Sequence, residues 1–169
     1  LNAPENRQLA ALRAQLMAWL LYDGDTGRFT WNAAPVQRIP AGSVAGGLNS
    51  EGYRVVRCMG VLYPSHRLAW LFCNGSWPSG DIDHINGVRD DNRIENLRDV
   101  SRSVNQQNLK RARRDNATGL LGVKRARKGF EARINVSGRY VHLGTFSTPT
   151  AAHAAYLAAK RQHHEGCTL

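Results

Sequence analysis

The sequence is short of cysteine, of long apolar runs and, over part of its length, of acidic residues, and each shortage removes a class of protein. Its three cysteines, Cys58, Cys73 and Cys167, are an odd number at long irregular gaps, so neither a disulfide framework nor a Cys-x-x-Cys zinc site can be assembled. The longest apolar stretches, such as 16–22, fall far below the ~20 residues a bilayer-spanning helix needs, and no basic segment followed by an apolar one opens the chain. A soluble, intracellular protein is expected. Carboxylates are scarce where basic residues crowd. Residues 1–97 hold nine basic and nine acidic groups, residues 98–139 twelve and three, and residues 140–169 two and one. Nearly all of the formal charge of +10 therefore sits in one stretch. A charge that served solubility would be spread out, whereas a block of one sign is the footprint of a polyanion-binding face.

What is present sharpens this. At 169 residues and 42% apolar the chain can bury one ordinary core or two small ones. Nineteen of the 23 basic residues are Arg, whose planar fork suits phosphates and guanine edges. Nucleic acid is the leading partner from this arithmetic, and structured RNA shares the charge requirement of double-stranded DNA.

Periodicity supplies the organisation. Leu9, Leu12, Leu16, Trp19 and Leu20 fall on one face of a helix over 5–21. Residues 22–31 read as turn and strand, 35–64 as a small antiparallel sheet, and 65–72 as a short helix closed by Asn74 and Gly75. The run Asp23-Gly24-Asp25-Thr26-Gly27 resembles the start of a calcium loop, but loop position 12 is Ala34 instead of Glu. A helix is expected from Ser101 to about Arg114, then a linker over 115–119. Strands follow over 122–127, 130–137 and 139–146, with Lys128-Gly129 and Ser137-Gly138 as turns. Thr148 and Pro149 then open an Ala-rich helix over 150–164.

The polar segment 82–108 carries the chemistry. Phosphodiester cleavage needs a nucleophile made from water, a cation for the charge on the phosphate, and stabilisation of the departing oxygen. Asp83 and Asn105 offer hard oxygen donors for magnesium or manganese, and a neutral His84 beside them can take a proton from water. No zinc is expected. Strand neighbours face opposite ways, so Asp83 and His84 must flank the phosphate or sit on a distorted backbone.

These residues resemble the HNH nucleases, in particular phage and intron homing endonucleases with the ββα-metal motif. The pattern is carried by Asp83-His84-Ile85-Asn86-Gly87, Asp91-Asn92, Asn96-Leu97-Arg98 and Asn105, and upstream by Tyr22, Thr26, Gly27, Phe29, Trp31 and the run 66–70. The resemblance implies Asp83 and Asn105 as metal ligands, His84 as general base, and Asn96 as the residue orienting the loop. It places Asn where the letters HNH have their last His. It implies a 5′-phosphate product and a cytoplasmic setting in a bacterial or phage-infected cell. His66 reads as structural, and His163 and His164 as solvated at a helix end.

In the last 50 residues Phe130, Ala132, Ile134 and Val136 alternate with Glu131, Arg133, Asn135 and Ser137, and Val141 and Leu143 with Tyr140, His142 and Gly144. One sheet face is apolar and the other polar. Gly122-Val123-Lys124, Ala132-Arg133-Ile134 and Leu143-Gly144-Thr145-Phe146 resemble the plant APETALA and ethylene-response-factor DNA-binding domain. That resemblance implies Lys124, Arg127, Arg133, Asn135, Tyr140 and His142 as DNA contacts. The family's Trp contacts are absent, so no base preference carries over. Arg111, Arg113 and Arg114 suit phosphates.

The expectation is therefore an α+β protein: an N-terminal helix over 1–21, a metal-dependent HNH nuclease domain over 22–114, the linker, and over 120–169 a three-stranded antiparallel sheet packed on one C-terminal helix. The rival is a non-catalytic DNA-binding regulator that keeps an inactive nuclease fold. A homodimer is implied only if both strands are cut together.

Overall fold

A computed structural model describes residues 3–110, 112–113, 115–164 and 167–168. Its four α-helices and four small sheets among these residues make a mixed α+β chain, and among the described residues no helix is long and apolar enough to cross a membrane. The chain forms two compact units, residues 1–101 and 102–169.

In the first unit, helix α1 (Ala3–Trp19) carries the expected stripe. Leu16 is fully buried, Leu9, Leu12 and Trp19 pack against the core, and Leu20 enters that core as the first residue of β1 (Leu20–Asp23). Strand β1 pairs antiparallel with β2 (Arg28–Trp31). The Asp23 carboxylate accepts bonds from the Asp25 and Thr26 amides and from Thr26 Oγ1, so this acid organises the hairpin turn. Next comes the small sheet β3 (Gly47–Leu48), β4 (Arg54–Cys58) and β5 (Val61–Pro64), which feeds directly into α2 (Ser65–Asn74). Helix α2 buries Leu68, Ala69, Leu71 and Phe72 against Phe29 and Val56. Arg13 of α1 donates to the Leu71 and Phe72 carbonyls, binding charge to the negative end of α2.

The unit closes with an antiparallel pair, β6 (Asp81–His84) and β7 (Leu97–Val100). Its register sets Asp83 opposite Arg98 and His84 opposite Leu97. The connection ends in a 3₁₀ turn over Ile94–Asn96. At the entrance of the pair, the Asp99 carboxylate accepts from Ser79 N, Ser79 Oγ and Gly80 N.

The second unit opens with α3 (Arg102–Gln107), which stops well before the expected Arg114. Ser and Asn are modest helix formers whose side chains compete for backbone groups. Here the chain is drawn off instead. Thr168 Oγ1 donates to the buried Asn108 side chain, and the buried Lys160 ammonium donates to the Leu109 carbonyl at 2.6 Å. The segment at 115–119 is likewise tied down, because Asn116 Oδ1 accepts from the amide and hydroxyl of Thr118, and that hydroxyl also reaches the Val123 carbonyl.

Strands β8 (Val123–Ala126), β9 (Gly129–Val136) and β10 (Arg139–Phe146) form a sheet in the order β10-β9-β8. Arg127 and Lys128 make the first turn, one residue earlier than expected, because Gly129 already pairs with Ala126. Ser137 and Gly138, both at positive φ, make the second, the geometry that matches strand twist in a two-residue hairpin. Helix α4 (Pro149–His163) begins at Thr148, whose hydroxyl accepts from Ala151 N. Ala152, Tyr156 and Ala159 bury against the sheet, where Val123, Ala132 and Ile134 lie. The alternation in β10 is broken by a bulge between His142 and Gly144, which sets Gly144 opposite the buried Ala132 and off the polar face.

Candidate active site

The connection between β6 and β7 is held by one residue. Asn96 accepts from the Asn86 amide through Oδ1, donates from Nδ2 to the Asp91 carbonyl, and accepts from the Ile85 amide through its own carbonyl. Both limbs of the loop are thus fixed to one buried amide side chain. Asp91 adds a second clamp, bonded to Arg93 and to Asn86 Nδ2; its carboxyl is held down to about 2, chiefly by the Arg93 guanidinium.

This loop delivers Asn92 to His84. Asn92 is fully buried, and its Oδ1 lies 3.2 Å from His84 Nε2 while its Nδ2 donates to the Asp90 carbonyl. With the amide so oriented, His84 Nε2 carries the proton and Nδ1 carries the lone pair. His84 is itself 5% exposed, and burial lowers its affinity for a proton against the opposing pull of Asn92 and Asp83. Two rings flank it, His66 edge-on at 5.4 Å and Tyr53 at 5.9 Å between centroids. His66 is therefore a neighbour of the candidate base as well as a helix residue. Its Nδ1 is buried without a hydrogen-bond partner, and burial pushes its imidazole down to about 4. Arg89 lies over the Tyr53 ring at 4.9 Å and donates to the Glu51 carbonyl.

Asp83, the neighbour of His84 on a regular strand, meets different company, as strand alternation requires. Its Oδ2 accepts from Arg98 Nε at 2.8 Å and Nη2 at 2.7 Å, and only 5% of the residue is exposed. Its hard carboxylate oxygens suit magnesium or manganese. Asn105 lies half-buried on α3 in the second unit.

On the second unit the residues expected to contact DNA share one face of the sheet. Lys124, Arg133, Asn135, Tyr140 and His142 are exposed there, with Arg127 at the adjoining turn. Their roles differ in geometry. Arg133 stacks over the Tyr140 ring at 5.0 Å, Lys124 and His142 both pair with Glu131, and Asn135 Oδ1 accepts from the Gly138 amide within its own turn. Arg113 is exposed, and Arg111 and Arg114 lie outside the described residues. His164 is tied to the sheet through its Nε2 and the Asn135 carbonyl, a correction to its expected solvation.

Sequence reasoning singled out Asp83, His84 and Asn96 but passed over Asn92, Arg98, Tyr53 and His66 as parts of the site. Asn92 and Arg98 stood in the motif and carried a usable signal. Tyr53 did not, since nothing in the sequence says that a ring 31 residues away lies beside that of His84.

Among curated proteins and solved structures none matches the chain. Residues 63–107, from β5 through α3, match the family model of the HNH endonucleases.

Proposed function

We propose that the chain is a metal-dependent HNH DNA endonuclease of the phage or homing type, brought to its substrate by the sheet of its second unit. One observation carries this reading: a buried imidazole, with its tautomer set by Asn92, sits next to the Asp83 carboxylate on the hairpin inside the HNH-matching stretch. A pure DNA binder has no use for a buried His with its proton placed on Nε2.

In this reading His84 Nδ1 takes a proton from the attacking water, which an imidazole can do only while neutral. Burial keeps it neutral at physiological pH. Asn92 and the flanking rings of Tyr53 and His66 hold the imidazole in one orientation, and Asn96 holds the loop that carries Asn92. Asp83 and, by the motif's spacing, Asn105 would hold magnesium or manganese. When bound, that ion supplies neutralisation of charge on the scissile phosphate and on the departing oxygen. Water attacks in line, leaving a 5′-phosphate and a 3′-hydroxyl. One such site per chain makes a nick the natural product, with double-strand cleavage left to a homodimer or a second encounter.

Lys124, Arg127, Arg133, Tyr140 and His142 are the proposed DNA contacts of the second unit. Incubation of supercoiled plasmid with the protein and magnesium tests the whole reading. Chelator-sensitive conversion to open circle or linear DNA is expected, and His84→Ala should abolish conversion while leaving DNA binding intact. No conversion across several metals and sequences supports a non-catalytic DNA-binding regulator instead.

A further inference from the structure

A carboxylate meant for a divalent cation is usually left with its charge available, and Asp83 is not. Arg98 holds its Oδ2 through two N–H groups at 2.8 and 2.7 Å. The pair is built into the hairpin, because the two residues are direct cross-strand partners in the β6 and β7 register. It also lies where water screens poorly, with 6% of the Asp83 side chain and 27% of the Arg98 side chain exposed. Other arginines near the loop have carboxylates of their own: Arg54 and Arg28 on Asp90, and Arg93 on Asp91 and Glu95.

The consequence is electrostatic. A cation reaching Asp83 meets a carboxylate whose charge is already cancelled by a guanidinium on the neighbouring oxygen. Like charges within ~4–6 Å oppose each other strongly where the local dielectric is low. A DNA phosphate supplies the negative charge that the protein has withheld.

On the nuclease reading, we infer that Arg98 is a positioning residue that holds Asp83 by one oxygen and keeps the affinity for a divalent cation low until a DNA phosphate arrives, so that metal and DNA bind cooperatively. By reciprocity the metal must tighten DNA by the same factor that DNA tightens the metal.

Calorimetric titration of the full chain with Mn2+ tests this. Without DNA the wild type is expected to bind weakly, with a Kd of about 1 mM. Arg98→Gln should tighten binding by about tenfold or more, Arg98→Lys should remain within about threefold of wild type because it keeps the charge, and Asp83→Asn should abolish the gain. In His84→Ala protein, used to prevent turnover, a short random-sequence duplex should tighten Mn2+ by about tenfold or more, and adding Arg98→Gln should shrink that gain. Unchanged or weaker Mn2+ binding by a folded Arg98→Gln protein overturns the inference, as does micromolar binding by the wild type without DNA. If Arg98→Gln does not fold, the duplex arm decides alone, and equal Mn2+ affinity with and without DNA overturns it. Metal-dependent plasmid cleavage alongside any of these results leaves the nuclease reading standing. A protein that neither binds Mn2+ nor cuts plasmid overturns both.

Discussion

The hydroxyl of Tyr22 donates to the backbone carbonyl of Asn92 at 2.8 Å, so a strand near the start of the chain holds the residue that sets the tautomer of His84. Asn92 has no exposure and satisfies three partners at once: His84, the Asp90 carbonyl and Tyr22. Asn92→Ala leaves the His84 ring without its acceptor in a buried site. It should cost ~1–3 kcal/mol of stability and lower kcat by about 10- to 100-fold with little change in DNA affinity. Asn92→Asp places a carboxylate at the same ring nitrogen and raises the His84 pKa. On the nuclease reading the neutral ring is the active form, so the acid limb of the pH–rate profile should move to higher pH. Plasmid cleavage measured across pH checks both outcomes.

A second contact reaches the same loop from the first hairpin. Gly27 stands at φ +68, and a Cβ built there would lie 2.4 Å from Arg93 N and 2.6 Å from Asn92 C. Both the conformation and the space demand glycine. Gly27→Ala should therefore push the loop off its seat, costing about 2 kcal/mol or more of stability and most of the cleavage activity. Wild-type urea midpoint and kcat in this variant would show that the hairpin does not support the loop.

Acid should loosen the first unit through His66. Burial holds this imidazole at about 4, below its ordinary 6.5, so the unfolded chain takes up the proton at a higher pH than the folded one. The stability carried by neutral His66 is complete above 6.5 and is lost as pH falls toward 4. The difference is worth on the order of 3 kcal/mol. Asp91, held at about 2 chiefly by Arg93, acts in the same direction at lower pH. His66→Phe keeps a ring beside His84 and removes the titration. Its urea midpoint should fall less than that of the wild type between neutral pH and about pH 4.5, and parallel losses in the two proteins would assign the acid sensitivity elsewhere.

Why some of this was legible in the sequence and some was not follows from the range of each interaction. Elements set by local chemistry were readable: the apolar stripe of α1, the Thr148 cap of α4, and the β10 bounds, 139–146, which the structure reproduces. That Asp83, His84 and Asn96 meet on one hairpin was readable because their spacing is tied to one loop. The early end of α3 was not, because it is set by Thr168 and Lys160, residues more than fifty positions away. Nor was the ring of Tyr53 over His84, or the bulge that removes Gly144 from the polar face. These depend on tertiary partners that no local pattern encodes.

The charge block makes a prediction about DNA affinity, and the structure changes how it should be tested. If about six phosphates are engaged, log affinity falls with log salt at a slope near −5. Truncation near Arg114 would strip out Lys124, Arg127 and Arg133, but it would also remove Lys160 and Thr168, which hold Leu109 and Asn108 at the end of the helix bearing Asn105. Lost cleavage in that fragment would therefore mix weakened grip with a loosened helix. Substitution on the sheet surface of the intact chain separates the two, because Lys124 and Arg133 are exposed. Lys124 is already paired with Glu131 at 3.1 Å, so any release of counterions by it on DNA would be partial. Arg133, stacked on Tyr140, should contribute the larger share. Arg133→Ala is expected to weaken binding and make the salt slope shallower by about 1, with Lys124→Ala changing it less. Fluorescence anisotropy on a labelled duplex over a salt series measures both. An unchanged slope in the double variant would place the DNA grip off this sheet face, on the remaining arginines of the block.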